Sequence, residues 1–126
     1  MLILKKKFLD KIIVQSRKEF PNEACGILAG KDGKVEKVYA MNNTDASPST
    51  FFMEAKEQLK VMKEIRNSGI QMIGIYHSHV ASQAYPSAHD VELAFYPEAS
   101  YAIISLEDKK NPVIRSFKIQ EEKIRE

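Results

Sequence analysis

The sequence of 126 residues contains a single cysteine, Cys25, and no tryptophan. One cysteine excludes an internal disulfide. No apolar run approaches the length of a bilayer-spanning helix, and residues 5–7, all lysine, follow the short N-terminal apolar stretch instead of preceding it as in a secretory signal. The net charge of +2 is too small to indicate a nucleic-acid or membrane-surface partner. We therefore expect a soluble cytoplasmic protein.

The length and composition are those of one globular domain. Hydrophobic residues make up 44% of the chain and charged residues 29%, which is the usual balance of a folded domain with one core. We predict a single domain over residues 1–126, with a frayed charged tail at about 120–126. The sequence does not indicate an oligomeric state.

Apolar periodicity and turn residues predict a mixed order of helices and strands. Three helices are predicted over residues 7–20, 54–68 and from 87 to about 96. Strands are predicted at 2–5, 51–53, 70–76, 101–106 and 113–119, with a hairpin over 25–40 and a loop over 42–50. This order predicts an α+β or three-layer α/β domain, in which helices flank a mixed central sheet around a buried strand.

The stretch His77-Ser78-His79 follows the predicted buried strand at 70–76. Side chains at i and i+2 of a strand point to the same face, so both imidazoles aim at one point while Ser78 points away. Two histidines make half of a tetrahedral zinc shell, and Asp90, in the first turn of the next helix, is placed to add a carboxylate. This ligand set favours zinc without excluding other divalent metals.

The motif His-Ser-His, seven residues, Ser87, two residues and Asp90 resembles the JAMM motif of MPN-domain metallopeptidases. That family also has a glutamate far upstream, near the end of the first helix, where this chain has Glu23. The resemblance extends over most of the chain through three further segments: 22–26 (Asn-Glu-Ala-Cys-Gly), 47–51 (Ser-Pro-Ser-Thr-Phe) and 84–87 (Ala-Tyr-Pro-Ser). It implies an MPN/cytidine-deaminase-like fold.

The resemblance also implies the roles of the motif residues. His77, His79 and Asp90 would bind one Zn²⁺ per chain. Glu23 would take a proton from the attacking water and return it to the leaving amine. Ser87 would donate a hydrogen bond to the oxyanion of the tetrahedral intermediate.

Two of these assignments have alternatives in the residues themselves. Ser-x-x-Asp before a helix is also a capping box, so that Ser87 and Asp90 have a structural interpretation. A metal-bound Asp90 would have little freedom to cap. Glu54 and Glu92 are alternative bases, because only the resemblance selects Glu23.

Four further residues carry no assigned role in the motif. Cys25 is interpreted as a buried structural thiol, and His89 as a surface helix residue beside the site. Tyr85 either lines the groove or packs. Val80 stands where the family commonly has proline, which affects the rigidity of the following loop.

The compact bacterial members of the family trim short C-terminal extensions from ubiquitin-like sulfur-carrier proteins. By resemblance, we predict a zinc metallopeptidase that hydrolyses a peptide or isopeptide bond at such a tail, with cysteine or another extension as the released group. The tail would add as a strand beside residues 51–53. The alternatives are a non-catalytic MPN scaffold and a zinc hydrolase of a small amide.

Overall fold

The computed structural model describes residues 2–126, which form three helices and six strands. The helices are α1 (Lys6–Glu19), α2 (Ala55–Asn67) and α3 (Ala88–Glu92). The strands are β1 (Cys25–Lys31), β2 (Lys34–Met41), β3 (Gln71–His79), β4 (Ser100–Ser105), β5 (Val113–Gln120) and β6 (Lys123–Arg125). Among these residues, no helix is both long enough and apolar enough to cross a membrane.

All six strands form one sheet, in the order β2-β1-β3-β4-β5-β6. The β3–β4 pair is parallel, and the other neighbouring pairs are antiparallel. The crossover from β3 to β4 carries α3, as a parallel connection requires. The predicted mixed sheet with a buried central strand and flanking helices is confirmed.

The helices lie on both faces of the sheet. Helix α1 buries Ile12 and Ser16, one turn apart, and Ile12 packs against a cluster on one face that includes Leu28 and Tyr76. Helix α2 buries Val61 and Ile65 in the cluster on the other face. Alternation along β3 therefore puts Tyr76 on the α1 side and its neighbours on the α2 side.

Local sequence explains where the first two helices end. Helix α1 has Arg17 and Lys18 in its last turn, where cations complement the helix dipole. Helix α2 is followed by Gly69 with φ of +73°, a conformation that favours glycine. Gly69 was predicted to stop this helix, and that prediction is confirmed.

The structure corrects the predictions for two strands and for the end of one helix. Residues 2–5 and 51–53 contribute only isolated bridges, Ile3 to Lys34 and Asn43 to Met53. Helix α3 ends at Glu92, with Leu93 as its C-cap, earlier than the predicted end near residue 96.

The C-terminal tail is not frayed. Residues 123–125 form β6, which pairs with β5 through Ile119 and Ile124. Ile124, the single large apolar side chain of the tail, packs against the buried clusters that contain Ile119 and Phe117. That packing outweighs the charges on either side of it.

Candidate metal centre and active site

The last residues of β3 present two histidines to one point. His77 and His79 lie on the same face of the strand, and their Nε2 atoms are 3.1 Å apart. Both side chains are buried, with exposed fractions of 2% and 5%. The two buried ring nitrogens are close enough for a single ion or atom to contact both of them. Their position on one face of the strand is the one that the i, i+2 spacing predicts.

Asp90 of α3 completes the group. Its Oδ2 lies 3.0 Å from Nε2 of His79 and 3.2 Å from Nε2 of His77. Nitrogen and carboxylate ligands of a tetrahedral zinc ion lie about 2.0–2.2 Å from the ion and therefore roughly 3.3–3.6 Å from one another, close to these separations. The three atoms therefore fit a single divalent ion and leave one side open for water or substrate.

Hydrogen bonding sets the tautomer of His79. Its Nδ1 lies 2.9 Å from the carbonyl oxygen of Gln83, which only accepts, so Nδ1 carries the proton and Nε2 keeps its lone pair. A second bond holds the same loop, from Ser105 Oγ to the carbonyl of Ser82 at 2.6 Å. These two bonds anchor the loop that begins with Val80 in place of proline.

The His77 ring is held mainly by packing. Phe51 stacks on it with ring centroids 4.7 Å apart and an interplanar angle of 25°. The buried Nδ1 of His77 has no hydrogen-bond partner among the described residues. Phe51 therefore supports the metal-binding group directly, which the sequence did not indicate.

Asp90 takes part both in the capping box and in the candidate ligand group. The Asp90 amide donates to Ser87 Oγ at 3.1 Å, and the Ser87 amide donates to Asp90 Oδ2 at 2.9 Å. The oxygen of Asp90 that caps the helix is also the one that faces both histidines. The Ser87 hydroxyl only accepts in this arrangement, so its proton is free to donate to a ligand.

The pKa values of the three candidate metal ligands are shifted in different directions. Burial lowers the pKa of His77 further than Asp90 raises it. Burial also lowers the pKa of His79, but the hydrogen bonds that its protonated ring donates to Asp90 and to the Gln83 carbonyl, with the nearby negative charges, outweigh burial, so that this pKa is raised. Burial raises the pKa of Asp90, yet its hydrogen bonds with both histidines hold that pKa far below its usual range.

Glu23 lies in the segment between α1 and β1 and is 4% exposed. Burial raises its pKa to about 8, while the charge of His79 lowers it and that of Asp90 raises it. Its Oε1 has no hydrogen-bond partner among the described residues. The other two candidate bases, Glu54 and Glu92, are both exposed.

Two polar residues near Glu23 have structural roles that the sequence did not predict. Ser78 points to the opposite face from the histidines, and its Oγ accepts from the Ala24 amide at 2.8 Å. The Ser78 amide donates back to the Ala24 carbonyl at 3.0 Å. Asn43 donates to the Glu23 carbonyl at 3.0 Å. Nothing in the local sequence around Asn43 indicates a partner twenty residues away.

Three further residues near the motif are Cys25, Tyr85 and His89. Cys25 is fully buried, and burial raises the pKa of its thiol to about 12, in agreement with a structural role. Tyr85 packs edge-on against Phe117 with centroids 5.4 Å apart. His89 is exposed and lines a small cavity beside His77.

Comparison with known proteins gives concordant matches. A family model described as prokaryotic homologs of the JAB domain matches residues 5–120. The chain is 36% identical over 121 residues to the CysO-cysteine peptidase of Mycobacterium tuberculosis, covering 94% of this chain and 83% of the relative. It is 40% identical over 70 residues to the desampylase of Pyrococcus furiosus, a match that covers 56% of this chain and 50% of the relative. A solved structure of a Desulfitobacterium hafniense protein matches with a TM-score of 0.89 and 43% identity. This match covers 99% of this chain and 88% of that protein.

Proposed function

Because this chain belongs to the family of prokaryotic homologs of the JAB domain, we propose that it is a zinc-dependent peptidase acting on the C-terminal tail of a ubiquitin-like sulfur-carrier protein. The observation that carries the proposal is the convergence of His77, His79 and Asp90 within 4.8 Å, with the buried carboxyl of Glu23 nearby. His77, His79 and Asp90 would hold one zinc ion per chain.

The protein supplies the proton transfers around that ion. A bound divalent ion contributes Lewis acidity, which lowers the pKa of a water molecule, polarises the scissile carbonyl and lowers the pKa of Glu23. Glu23 removes a proton from the attacking water and returns it to the leaving amine. Its burial suits both steps, because a carboxyl with a raised pKa holds the proton between them.

Ser87 is the proposed donor to the oxyanion. Its Oγ already accepts from the Asp90 amide, so the direction of its free hydroxyl proton is restricted. A donor that is oriented before the reaction stabilises developing charge without further reorganisation. Ser87 therefore would stabilise the oxygen of the carbonyl that the water attacks, while Glu23 handles the proton of that water.

The substrate class comes from the relatives and from one free backbone edge. One relative is named a CysO-cysteine peptidase and another a desampylase, and cysteine is our candidate for the released group. The Thr50 carbonyl and the amide and carbonyl of Phe52 bond to Asn43 and Thr44 on one side. An extended tail can pair with the opposite edge of residues 51–53.

The ligand set disfavours the scaffold alternative. A scaffold needs neither three converging ligand atoms nor a buried glutamate that lacks a hydrogen-bond partner for Oε1, and burying such groups costs free energy. A small amide is the remaining alternative substrate. The cytoplasmic location stays a prediction.

Intact mass spectrometry of a sulfur carrier tests the proposal. The carrier would end in Gly-Gly followed by one or two extra residues, including cysteine, and would be incubated with zinc-loaded protein. We expect clean loss of the extension. Glu23→Gln should slow this by about 10²–10⁴-fold, whereas Glu54→Gln, the same change at an exposed glutamate, should be as active as wild type.

Metal analysis of the same samples separates the alternatives. Bound zinc with an intact carrier would contradict the substrate class and leave small amides. Absence of stoichiometric zinc, with no cleavage, would support the scaffold. Loss of activity on chelation, with recovery on zinc addition, is the expected result.

A further inference from the structure

The backbone around Glu23, not its side chain, sets the position of the proposed base. Oε1 of Glu23 has no hydrogen-bond partner among the described residues. The peptide groups on either side are held by three bonds: the Glu23 amide to the Ser47 carbonyl at 2.8 Å, Asn43 Nδ2 to the Glu23 carbonyl at 3.0 Å, and the Ala24 amide to Ser78 Oγ at 2.8 Å. A change in any of these bonds moves the carboxyl relative to the metal-binding group.

Asn43 is the most connected of these partners. Its Nδ2 donates to the carbonyls of Glu23 and Thr50, both at 3.0 Å. Its Oδ1 accepts from the amides of Asp45 at 3.0 Å and Phe52 at 3.1 Å. Both donors and both acceptor directions of the side-chain amide are therefore used, which restricts it to one orientation.

The same side chain reaches the metal-binding group by a second route. Thr50 and Phe52, which both bond to Asn43, are the neighbours of Phe51, and Phe51 stacks on His77 at 4.7 Å. Asn43 thus connects the base to the aromatic ring that supports a proposed metal ligand. Residues 44–52 are mostly exposed, so their order depends on polar bonds of this kind more than on burial.

We propose that Asn43 is a positioning residue that holds Glu23 in its working place and couples it to the 44–52 loop. The inference rests on the proposed function, since the loop edge at residues 51–53 is where the substrate tail would pair. Pairing of a tail there restrains the loop, and Asn43 transmits that restraint to the Glu23 carbonyl. Substrate engagement and placement of the base are then linked by one side-chain amide.

The informative substitution is Asn43→Asp. Aspartate keeps acceptor oxygens for the amides of Asp45 and Phe52, so the loop retains those bonds, but it cannot donate to the carbonyls of Glu23 and Thr50. We expect kcat to fall by about 10- to 100-fold, because a small misplacement of a reacting group has this effect. KM should change by less than about threefold, and the zinc content should not change.

Three comparisons separate positioning from other effects. Asn42→Ala removes the neighbouring amide, which bonds Glu57 at 3.2 Å, and should leave kcat unchanged. If the negative charge of the new aspartate acted on the pKa of Glu23, the acid limb of the pH profile of kcat would move, but the value of kcat on the plateau would stay the same. Asn43→Ala removes all four bonds, so it should lower kcat at least as far as Asn43→Asp. A purely structural role would lower the melting temperature and zinc content together with activity.

Amide hydrogen exchange gives a readout that does not depend on catalysis. In Asn43→Asp, exchange at Glu23 and Ala24 should accelerate by about tenfold or more, while the amides of β3 keep their protection. Unchanged exchange at both residues, or a rise in KM with unchanged kcat, would overturn the positioning role. If the wild-type protein cleaves no carrier, the proposed function fails, and hydrogen exchange alone decides whether Asn43 holds Glu23.

Discussion

At the scale of single residues, the buried carboxyl of Glu23 serves the proposed catalysis but lowers the stability of the fold when it is ionised. Its carboxyl is 4% exposed, its Oε1 has no hydrogen-bond partner among the described residues, and burial raises its pKa to about 8 from an ordinary value of 4.5. Between these two values the folded state binds a proton that the unfolded state has released. The contribution of Glu23 to the stability of the metal-free protein therefore falls as the pH rises from about 4.5 to 8.

This linkage predicts that Glu23→Gln stabilises the metal-free protein while it slows cleavage. Glutamine carries no charge at any pH, so the gain should be about 1–3 kcal/mol larger at pH 8 than at pH 5. Chemical denaturation at the two pH values measures it. Equal effects at both pH values would mean that the folded protein ionises Glu23 normally. Glu54→Gln, at an exposed position, is the control.

At the scale of the elements, β3 carries both proposed metal-binding histidines and pairs with β1. Gly26 pairs with Tyr76, and a Cβ at position 26 would lie 2.2 Å from the Tyr76 ring. The Tyr76 hydroxyl donates to Gln15 of α1, and Gln15 donates to the Cys25 carbonyl at 3.0 Å. The helix and both strands are thus packed together directly beside His77.

Gly26→Ala should therefore destabilise the protein strongly. The Tyr76 ring is fully buried and cannot move aside without breaking its bond to Gln15, so we expect a loss of about 3 kcal/mol or more. Gly69→Ala is the matched control, since its Cβ meets nothing within 4 Å and only its φ of +73° is unfavourable. That change should cost about 1 kcal/mol. Thermal denaturation compares them, and equal losses would contradict the packing argument.

At the scale of the whole molecule, the proposed metal-binding group connects the central strand to α3 across the β3–β4 crossover. His77 and His79 come from β3 and Asp90 from α3. An ion that binds this group in the folded state stabilises the whole domain, by about 4 kcal/mol at a thousandfold excess over its Kd. Stability and metal binding are thereby linked.

The linked equilibrium predicts a pH-dependent effect of zinc on the melting temperature. Metal ligation requires neutral histidines, and the pKa of His79 is raised above its ordinary 6.5. Its protonation stabilises the metal-free fold below pH 6.5, and this contribution is lost as the pH rises through the folded pKa. The gain from zinc should therefore be largest at pH 8 and shrink steadily towards pH 5.

Differential scanning fluorimetry with and without zinc measures this effect. His79→Ala should remove most of the gain, whereas His89→Ala, at an exposed histidine beside the site, should retain it. A gain from zinc that is the same in His79→Ala as in wild type would show that the ion binds elsewhere.

Features set by neighbours along the chain could be predicted from the sequence by itself. Helical periodicity gave α1 and α2, alternation and turn residues gave the β1–β2 hairpin, and the i, i+2 rule put His77 and His79 on one face of β3. The resemblance to JAMM proteins identified the family and selected Glu23, Ser87 and Asp90 as candidates. These are local patterns or motifs, which do not depend on how distant segments pack.

Only the tertiary structure decided what depends on segments that meet from far apart. It buried Glu23 and raised its pKa, let Asp90 cap a helix while facing both histidines, and brought Asn43 to the Glu23 carbonyl. It also formed β6, because Ile124 finds buried neighbours in β5 that the charged tail sequence does not reveal. Burial and long-range hydrogen bonds are properties of the packed chain, and no periodicity or spacing along the sequence encodes them.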